Sequence, residues 1–583
     1  MKKLLYTLTT LVLISCIHAQ QPALYSIHFD KGNVNWQWQG KLVYLKRWFN
    51  WQLAIQESFQ SNLYRGLTQN QNWKDLNDFQ VYLQRQFRGP LKWQGGIKSR
   101  VLSDQTTDLR FSQHTAYQKL IWQVRQGVEL APVIGWSWEE SFGFGDNGLY
   151  SGLEFQIKDV DLGGYRTASR ISGNYKAFPE RKNRDYQIFT SFYRQFSPQA
   201  SDSLMVRFST GVNRYYLSAA GALESVSLQE QSISNLLNYA FSSHQKLQIR
   251  TRFQKRNLAI VNPFSENQRN EVVLNNRIVH QAQWKKVKFN TEIHTAQKIQ
   301  DNTGIETDIN GVETGFGFGI EYQLSSQLQA VGNFRYTKYE FNTPDTVVNH
   351  DDRDEQRFIM DATLRWRISP YLTAVLNGYA YLFHQVYIHR TRSANNNWNR
   401  IFRIQAYLIH TPSPKLNHKL KAEVLANYTI YDFDEILPVF KSYIFRKFIA
   451  EDSLRFEMGG GFNLQTFYRL ELEDNGTFFK TLFAQQVSQK INVHFVNVIV
   501  EYRTFFNIRV AVGGNVYKRD EWRFRPEAQQ TRAFVSFSLI LQIRYSHPRR
   551  MQLFMEYAPT RVTDFGVLTQ RFSNARIVVQ YHF

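Results

Sequence analysis

Long stretches of this chain alternate apolar and polar residues with a period of two. From Phe358 to Ile368 every even position is apolar, whereas Arg357, Asp361, Arg365 and Arg367 stand at odd positions. Successive side chains of a β-strand point to opposite faces, so this pattern predicts a strand with one apolar and one charged face. We expect the apolar face to contact lipid and the charged face to line a lumen.

The same alternation recurs in strands predicted elsewhere along the chain. Leu416–Ile430, Ala533–Tyr545 and Leu247–Phe253 each carry apolar residues on one face. The charged residues on their other faces, which we also predict to line the lumen, are Arg250, Arg252, Lys419, Lys421, Glu423, Arg532 and Arg544. Such strands exceed the roughly 5 to 6 residues usual in globular sheets, but their length suits a tilted membrane span and its extension beyond the bilayer.

The connections between the predicted strands form two classes that alternate along the chain. Longer polar connections are predicted near 61–76, 139–148, 177–184, 260–269, 343–353 and 391–398, and tight turns at 242–244, 325–326, 369–370 and 413–414. Transmembrane barrels have long loops at one end and short turns at the other, which is this rhythm. Hairpins are also predicted at 450–453 and 474–476, whereas the apolar run 496–506 gives no clear division.

The composition favours one continuous β architecture over several soluble domains. Phe, Tyr and Trp make up 15% of residues although the mean hydropathy is −0.44. No Pro/Gly/Ser-rich linker divides the chain. We predict an all-β fold, a single large transmembrane antiparallel up-and-down β-barrel of about 26 strands, within a range of about 22 to 28. We expect folded-in loops, the N-terminus or a partner protein to fill part of so wide a barrel.

The end of the chain is predicted to be a strand that carries Ala575, Ile577, Val579, Tyr581 and Phe583 on one face. This ending, with aromatic residues at the last and third-to-last positions, resembles the terminal strand of bacterial outer-membrane β-barrel proteins. The resemblance implies that Val579, Tyr581 and Phe583 form an assembly signal read by the barrel-assembly machinery, and that this strand closes the barrel. It also implies an outer-membrane location and contact with outer-membrane lipids, including lipopolysaccharide.

The N-terminus has the features of an export signal. Lys2 and Lys3 precede the apolar run Leu4–Ile14, which is too short to span a bilayer as a helix. Cleavage after Ala19 would give a signal peptide over 1–19 and a barrel over 20–583, whereas cleavage before Cys16 would produce a lipoprotein. Few residues precede the first predicted strand, so we expect no N-terminal plug domain, which argues against a TonB-dependent receptor.

Motifs for catalysis or metal binding lack the structural context they need. The segment 143–148 matches GxGxxG, but a strand rather than a helix is predicted after it. His384 and His389 are predicted on opposite strand faces, and the acidic run 350–355 fits a solvated loop better than a cation site. Cys16 is the only cysteine, so the mature chain has no internal disulfide. We predict no enzymatic activity, no cofactor and no bound metal.

The formal net charge of +21 and the charged faces of the predicted strands bear on two hypotheses for the function. A basic excess suits nucleic acid, lipid phosphates or an anion-conducting lumen, and we expect no nucleic-acid partner. The first hypothesis is a channel or transporter that passes small, possibly anionic solutes through a basic lumen. The alternative is a non-transporting barrel that acts as a scaffold, secretion or adhesion component.

Overall fold

The computed structural model describes residues 24–582 apart from 66–70, 218–220, 305–307, 345–349, 437–440, 505, 525–526 and 548–549. In these residues the chain forms 28 antiparallel strands, each paired with the next in sequence, and the first strand also pairs with the last. The sheet therefore closes on itself as an up-and-down barrel. This confirms the predicted fold class, and the strand number lies at the top of the expected range.

Most of the strands are longer than those of globular sheets. Their bounds are β1 Leu24–Lys31, β2 Asn35–Trp48, β3 Trp51–Arg65, β4 Gln71–Gln86, β5 Leu91–Asp104, β6 Leu109–Arg125, β7 Val128–Ser141, β8 Phe144–Leu162, β9 Tyr165–Ala177, β10 Lys182–Gln195, β11 Ala200–Tyr216, β12 Leu223–Ser242, β13 Gln245–Asn262, β14 Ser265–Trp284, β15 Val287–Thr303, β16 Ile309–Gln323, β17 Leu328–Asn342, β18 Arg353–Ser369, β19 Leu372–Tyr387, β20 Asn397–Ser413, β21 Leu416–Tyr431, β22 Tyr443–Gly459, β23 Phe462–Phe479, β24 Ala484–Arg503, β25 Ile508–Arg523, β26 Gln529–Ser546, β27 Met551–Asp564 and β28 Val567–His582.

Helices are a minor component of the described residues. Two short 3₁₀-helices, Ser393–Asn395 and Asp434–Ile436, lie in the connections after β19 and β21. In the part of the chain that the structure describes, no helix combines the length and the apolar character needed to cross a membrane.

Alternate residues of the strands face the outside and the inside of the barrel. In β18 the outward side chains of Met360, Leu364 and Trp366 are exposed, and the inward Glu355 is buried. Outward apolar residues are similarly exposed in β26, where Phe537 and Leu541 alternate with inward polar residues. A closed barrel satisfies its backbone hydrogen bonds internally and presents an apolar belt to lipid. The described strands therefore form a transmembrane β-barrel.

The two ends of the barrel carry different kinds of connection, as the sequence predicts. The long connections 343–352, 388–396 and 432–442 lie at one end, which we call the long-loop end. The tight turns after β12, β16, β18 and β20 lie at the opposite, short-turn end, together with Leu24 and His582. An even strand number places both of these residues at the same end.

Several predicted connections are wrong in length, because strands continue through polar sequence beyond the apolar belt. The connection predicted over 139–148 is only 142–143, and the one over 260–269 is only 263–264. The hairpins predicted at 450–453 and 474–476 do not exist, since these residues lie inside β22 and β23. The turns instead lie at 460–461 and 480–483, and most of the undivided run 496–506 belongs to β24. Polar residues that continue a ladder above the membrane resemble turn residues in sequence.

The barrel closes where β1 meets β28. Tyr25 pairs with Tyr581, Ile27 with Val579, and Lys31 Nζ donates a hydrogen bond to Ser573 Oγ at 3.0 Å. The predicted closing strand thus occupies the closing position, with Val579 and Tyr581 in the ladder. Phe583 and the predicted signal peptide, 1–19, lie outside the described residues.

Candidate lumenal binding pocket

The wall of the barrel turns sharply at β7. Inward side chains of this strand are buried, including Val133, Ser137 and Glu139, and Ser137 has no exposed area. The outward Ile134 and Trp136 are 60% and 44% exposed. Neighbouring strands thus cover the inner face of β7, and its outer face is exposed. This arrangement is expected where the wall bends tightly. We call the wall formed by β2–β11 the corner.

Small residues permit this bend. A Cβ added to Gly135 would lie 2.1 Å from the carbonyl oxygen of Ala116, and one added to Gly148 would lie 1.9 Å from that of Ala177. Both contacts are with backbone, which cannot move aside as a flexible side chain does. Glycine at the two positions therefore allows the strands of the corner to approach each other closely.

The corner partly encloses an open cavity of about 710 Å³ on the lumenal side, which we call the lumenal pocket. Its lining extends from Lys41 on β2 to Asn213 on β11. Along a flat wall these strands would lie roughly 43 Å apart, at about 4.8 Å per strand. Only a sharply curved wall can bring them round one cavity of this size. A barrel of this strand number would be roughly 55 Å wide if it were circular, so the corner departs from that shape.

Most side chains that line the lumenal pocket are polar, and the charged ones are more often basic than acidic. Five cationic residues line it, namely Lys41, Lys98, Arg100, Lys176 and Arg184, against three carboxylates, those of Glu57, Asp78 and Asp185. Amide and hydroxyl groups supply the rest of the polar lining, namely Gln56, Ser58, Gln80, Ser99, Gln113, Thr115, Tyr150, Asn174, Asn183 and Asn213. The Tyr150 hydroxyl donates a hydrogen bond to Asn174 Oδ1 at 2.8 Å.

Two carboxylates of the lumenal pocket accept hydrogen bonds from amides, Glu57 from Asn77 at 3.2 Å and Asp185 from Gln187 at 3.1 Å. Two others, in and beside the pocket, have cationic partners. Arg100 Nε lies 3.6 Å from Asp78 Oδ1, and Lys119 Nζ lies 2.6 Å from Glu154 Oε2. By contrast, Lys41, Lys98 and Lys176 have no ion-pair partner among the described residues. The Lys98 ammonium instead lies 5.2 Å from the centroid of an aromatic ring, that of Tyr117. The pocket therefore carries a net positive charge.

A buried ion-pair cluster closes the long-loop end of the corner. Arg181, in the connection between β9 and β10, is 2% exposed. Its Nη1 donates to Glu139 Oε1 at 2.6 Å and its Nε donates to Asp146 Oδ2 at 2.7 Å. Burial opposes the charged form, but these hydrogen bonds and charges hold the pKa of the Arg181 guanidinium above its usual value. The guanidinium also lies over the rings of Phe178 and Tyr216.

The lumenal residues predicted from β18 and β21 lie on the inner face, and many are paired. Arg357 forms an ion pair with Glu355, and Asp361 accepts a hydrogen bond from Asn333 at 3.1 Å. Lys421 lies 3.0 Å from Glu423 and 3.3 Å from Glu451, and Lys419 lies over the ring of Tyr407. Arg365 and Arg367 have no ion-pair partner among the described residues.

The remaining predicted residues are distributed round the barrel. Arg252 Nη2 donates to Gln254 at 3.0 Å, and Arg250 precedes it on the inner face of β13. Arg532 Nη1 lies 3.7 Å from Glu521, and Arg544 donates to Gln542 at 3.2 Å. None of the predicted lumenal residues of β13, β18, β21 or β26 lines the lumenal pocket. The structure does not gather them into one site.

Sequence reasoning missed the lumenal pocket although part of its signal was present. In β5, Lys98 and Arg100 alternate with the outward Ile97 and Val101, which is the same pattern that identified β18. Nothing in the sequence shows that β5 and β9 face each other, because that proximity depends on the bend. The closely spaced small residues Gly135, Ser137 and Gly148 were the available clue.

The other motifs have structural explanations. The GxGxxG segment forms the turn after β7 and the start of β8, with no helix after it. In the acidic run, Asp351 pairs with Arg392 at 2.6 Å, and Asp352 lies 3.5 Å from His389. His384 pairs separately with Asp432 at 3.1 Å. Within the described residues, no three His, Cys, Asp or Glu side chains are grouped to hold a metal ion.

Comparisons with known proteins give distant matches of structure. No protein-family model and no curated protein matches the chain. The alcaligin outer-membrane receptor FauA from Bordetella pertussis has 10% identity and a TM-score of 0.40, covering 83% of this chain and 85% of that one. The copper transporter OprC has 9% identity and a TM-score of 0.41, covering 90% and 85%. The unliganded ferric citrate transporter FecA has 9% identity and a TM-score of 0.40, covering 90% and 83%.

Proposed function

We propose that this protein is an outer-membrane channel or transporter that passes small anionic solutes through its lumen. A closed wall that is apolar outside and charged inside separates lipid from an aqueous path. Charged residues on an inner wall face are stable there because they remain beside water. The proposal therefore follows from the distribution of charge across the wall.

Unpaired cations on the inner face are the observation that carries the anionic preference. Arg365 and Arg367 project from β18 without a carboxylate partner in the described chain, and Lys41, Lys98 and Lys176 do so at the corner. A low-dielectric wall lined by one sign of charge raises the local concentration of the opposite ion. Anions are accordingly the solutes that this lumen concentrates.

A scaffold function is the second candidate, and it too has an observation in its favour. On the inner face, Lys421 with Glu451 and Lys447 with Glu471 form ion pairs between adjacent strands at 3.3 and 2.6 Å. Such pairs brace neighbouring strands and contribute no net field. A barrel that served only as a scaffold needs this bracing but has no use for unpaired lumenal arginines.

Conductance in planar bilayers separates the two candidates. The purified protein is expected to pass anions in preference to cations, as measured by the reversal potential in a KCl gradient. Replacing Arg365→Gln together with Arg367→Gln should reduce that preference without unfolding the barrel. Arg446→Gln is the control. Arg446 is exposed and lies on the outer face of β22, next to Lys447, which faces inward. Absence of conductance, or an ion selectivity that is unchanged in the double variant, would favour the scaffold function.

A further inference from the structure

We propose that the lumenal pocket is a specific binding site for a polyhydroxylated carboxylate anion, a class that includes acidic sugars. This inference rests on the proposed transport of anionic solutes and adds a saturable site to it. A channel that only concentrates ions needs a diffuse field, whereas a site needs a formed cavity. The lumenal pocket provides such a cavity, and its volume of about 710 Å³ suits a ligand of several rings or branches.

The arrangement of charge is the first step of the argument. Lys98 on β5 and Lys176 on β9 come from opposite sides of the bend and line the same cavity. Neither has a carboxylate partner among the described residues, and the neighbouring Glu154 is held by Lys119. Bringing two like charges together without a counter-ion costs free energy, which a bound anion would offset. Lys41 adds a third unpaired cation on the β2 side.

The neutral groups of the lumenal pocket define the rest of the ligand. Amide side chains such as Gln56, Gln113 and Asn213 both donate and accept hydrogen bonds, as hydroxyl groups do. Six amides line the pocket: Gln56, Gln80, Gln113, Asn174, Asn183 and Asn213. Gln80, Gln113, Asn174 and Asn183 already form hydrogen bonds with protein groups. The side chains of Gln56 and Asn213 have no such partner among the described residues, and an apolar anion would leave them unpaired, at a cost of affinity. A ligand with several hydroxyls and a carboxylate satisfies both the amides and the lysines.

The lining groups are also held in place before a ligand arrives. All of them project from strands of a continuous ladder, and Asn174 is further fixed by its hydrogen bond from Tyr150. Tyr117 accepts a hydrogen bond from Gln94 Nε2 at 2.9 Å while its ring lies beside the Lys98 ammonium. Groups that are already positioned lose little conformational entropy on binding, which favours a specific site.

Equilibrium binding to the detergent-purified full chain tests this proposal. Trigalacturonate is the probe, and isothermal titration calorimetry is expected to show saturable binding that weakens as KCl is raised. Maltotriose, which has similar size and hydroxyls but no carboxylate, should bind at least about tenfold more weakly, because it cannot engage the lysines. Inorganic phosphate tests whether the site binds any small anion and does not require the hydroxyl groups of the ligand.

The variant Lys98→Gln with Lys176→Gln should raise the dissociation constant for trigalacturonate by about tenfold or more. Arg365→Gln with Arg367→Gln, which alters the lumen outside the pocket, should leave that constant unchanged. Heat-modifiable migration in gels confirms that each variant is folded. Equal binding of trigalacturonate by the lysine variant, equal binding of maltotriose, or tighter binding of phosphate would each overturn the site. Ion selectivity without such binding would overturn the site alone, and binding without conductance would overturn the proposed transport.

Discussion

Arg181 and Glu139 form an ion pair of 2.6 Å in which both side chains are almost completely buried, at 1% and 4% exposure. The pair joins the connection after β9 to β7, which is two strands away. Removal of one partner from a buried ion pair leaves an uncompensated charge, and its usual cost is about 3 to 5 kcal/mol. We therefore expect Arg181 to stabilise the corner.

We predict that Arg181→Met lowers the free energy of unfolding by an amount in that range. Urea unfolding of the protein in detergent or lipid vesicles, followed by tryptophan fluorescence, measures the change. Arg166→Met is the matched control, because Arg166 pairs with Asp159 at 2.6 Å where both side chains are more than half exposed. Exposed pairs contribute little. An unchanged midpoint for Arg181→Met would show that the cluster does not hold the corner.

A second prediction concerns the bend itself. Gly148→Ala should destabilise the barrel by about 1 to 3 kcal/mol through overpacking, because its Cβ would collide with the carbonyl oxygen of Ala177. Gly378→Ala is the control, since a Cβ at Gly378 meets no atom within 4 Å. The two variants are compared by the temperature at which heat-modifiable migration is lost. Similar temperatures for both would mean that the corner tolerates a side chain at Gly148.

The third prediction concerns assembly through the closing strand. Tyr581→Ala, alone or with deletion of Phe583, should reduce the amount of folded protein in the outer membrane, because Tyr581 belongs to the implied assembly signal and to the β1–β28 ladder. His582→Ala is the control, since His582 is adjacent but lies on the other strand face. Membrane fractionation and heat-modifiable migration give the yield. A normal yield of both Tyr581 variants would show that Tyr581 and Phe583 are not required as an assembly signal.

The fourth prediction concerns orientation, because the long-loop end should face the cell exterior. Thr391→Cys lies in the exposed connection 388–396, and Lys415→Cys lies in the turn between β20 and β21. Each is made in a chain that carries Cys16→Ser. A membrane-impermeant thiol reagent applied to intact cells should label the first variant only. Labelling of the second alone would invert the orientation.

The architecture could be predicted because it depends on a local pattern. Alternation in stretches such as 357–368 requires only that neighbouring residues point to opposite faces, and a closed barrel follows once many such strands are apolar outside. Strand ends were less predictable. Asn475 and Gly476 have turn chemistry, yet both continue β23, because pairing with β22 and β24 outweighs their local preference.

The lumenal pocket could not be predicted, because it depends on curvature. Lys98 and Lys176 are 78 positions apart in sequence and four strands apart in the sheet. Their proximity arises where small inner residues such as Gly135 let the wall fold sharply. Alternation identifies the face on which a residue lies, and it carries no information about which other strands that face opposes.

The pairing of β1 with β28 has a consequence for the order of folding events. Lys31 and Ser573, which bond across this seam, are 542 positions apart, so the contact closes the longest loop in the barrel. Every other strand pair is a neighbour in sequence and can form early as a hairpin. Until the seam forms, β1 and β28 each present a row of unpaired amide and carbonyl groups, which lipid cannot satisfy. Insertion into the bilayer and seam formation must therefore be coupled, or both edges must be covered by another protein's strands in the meantime.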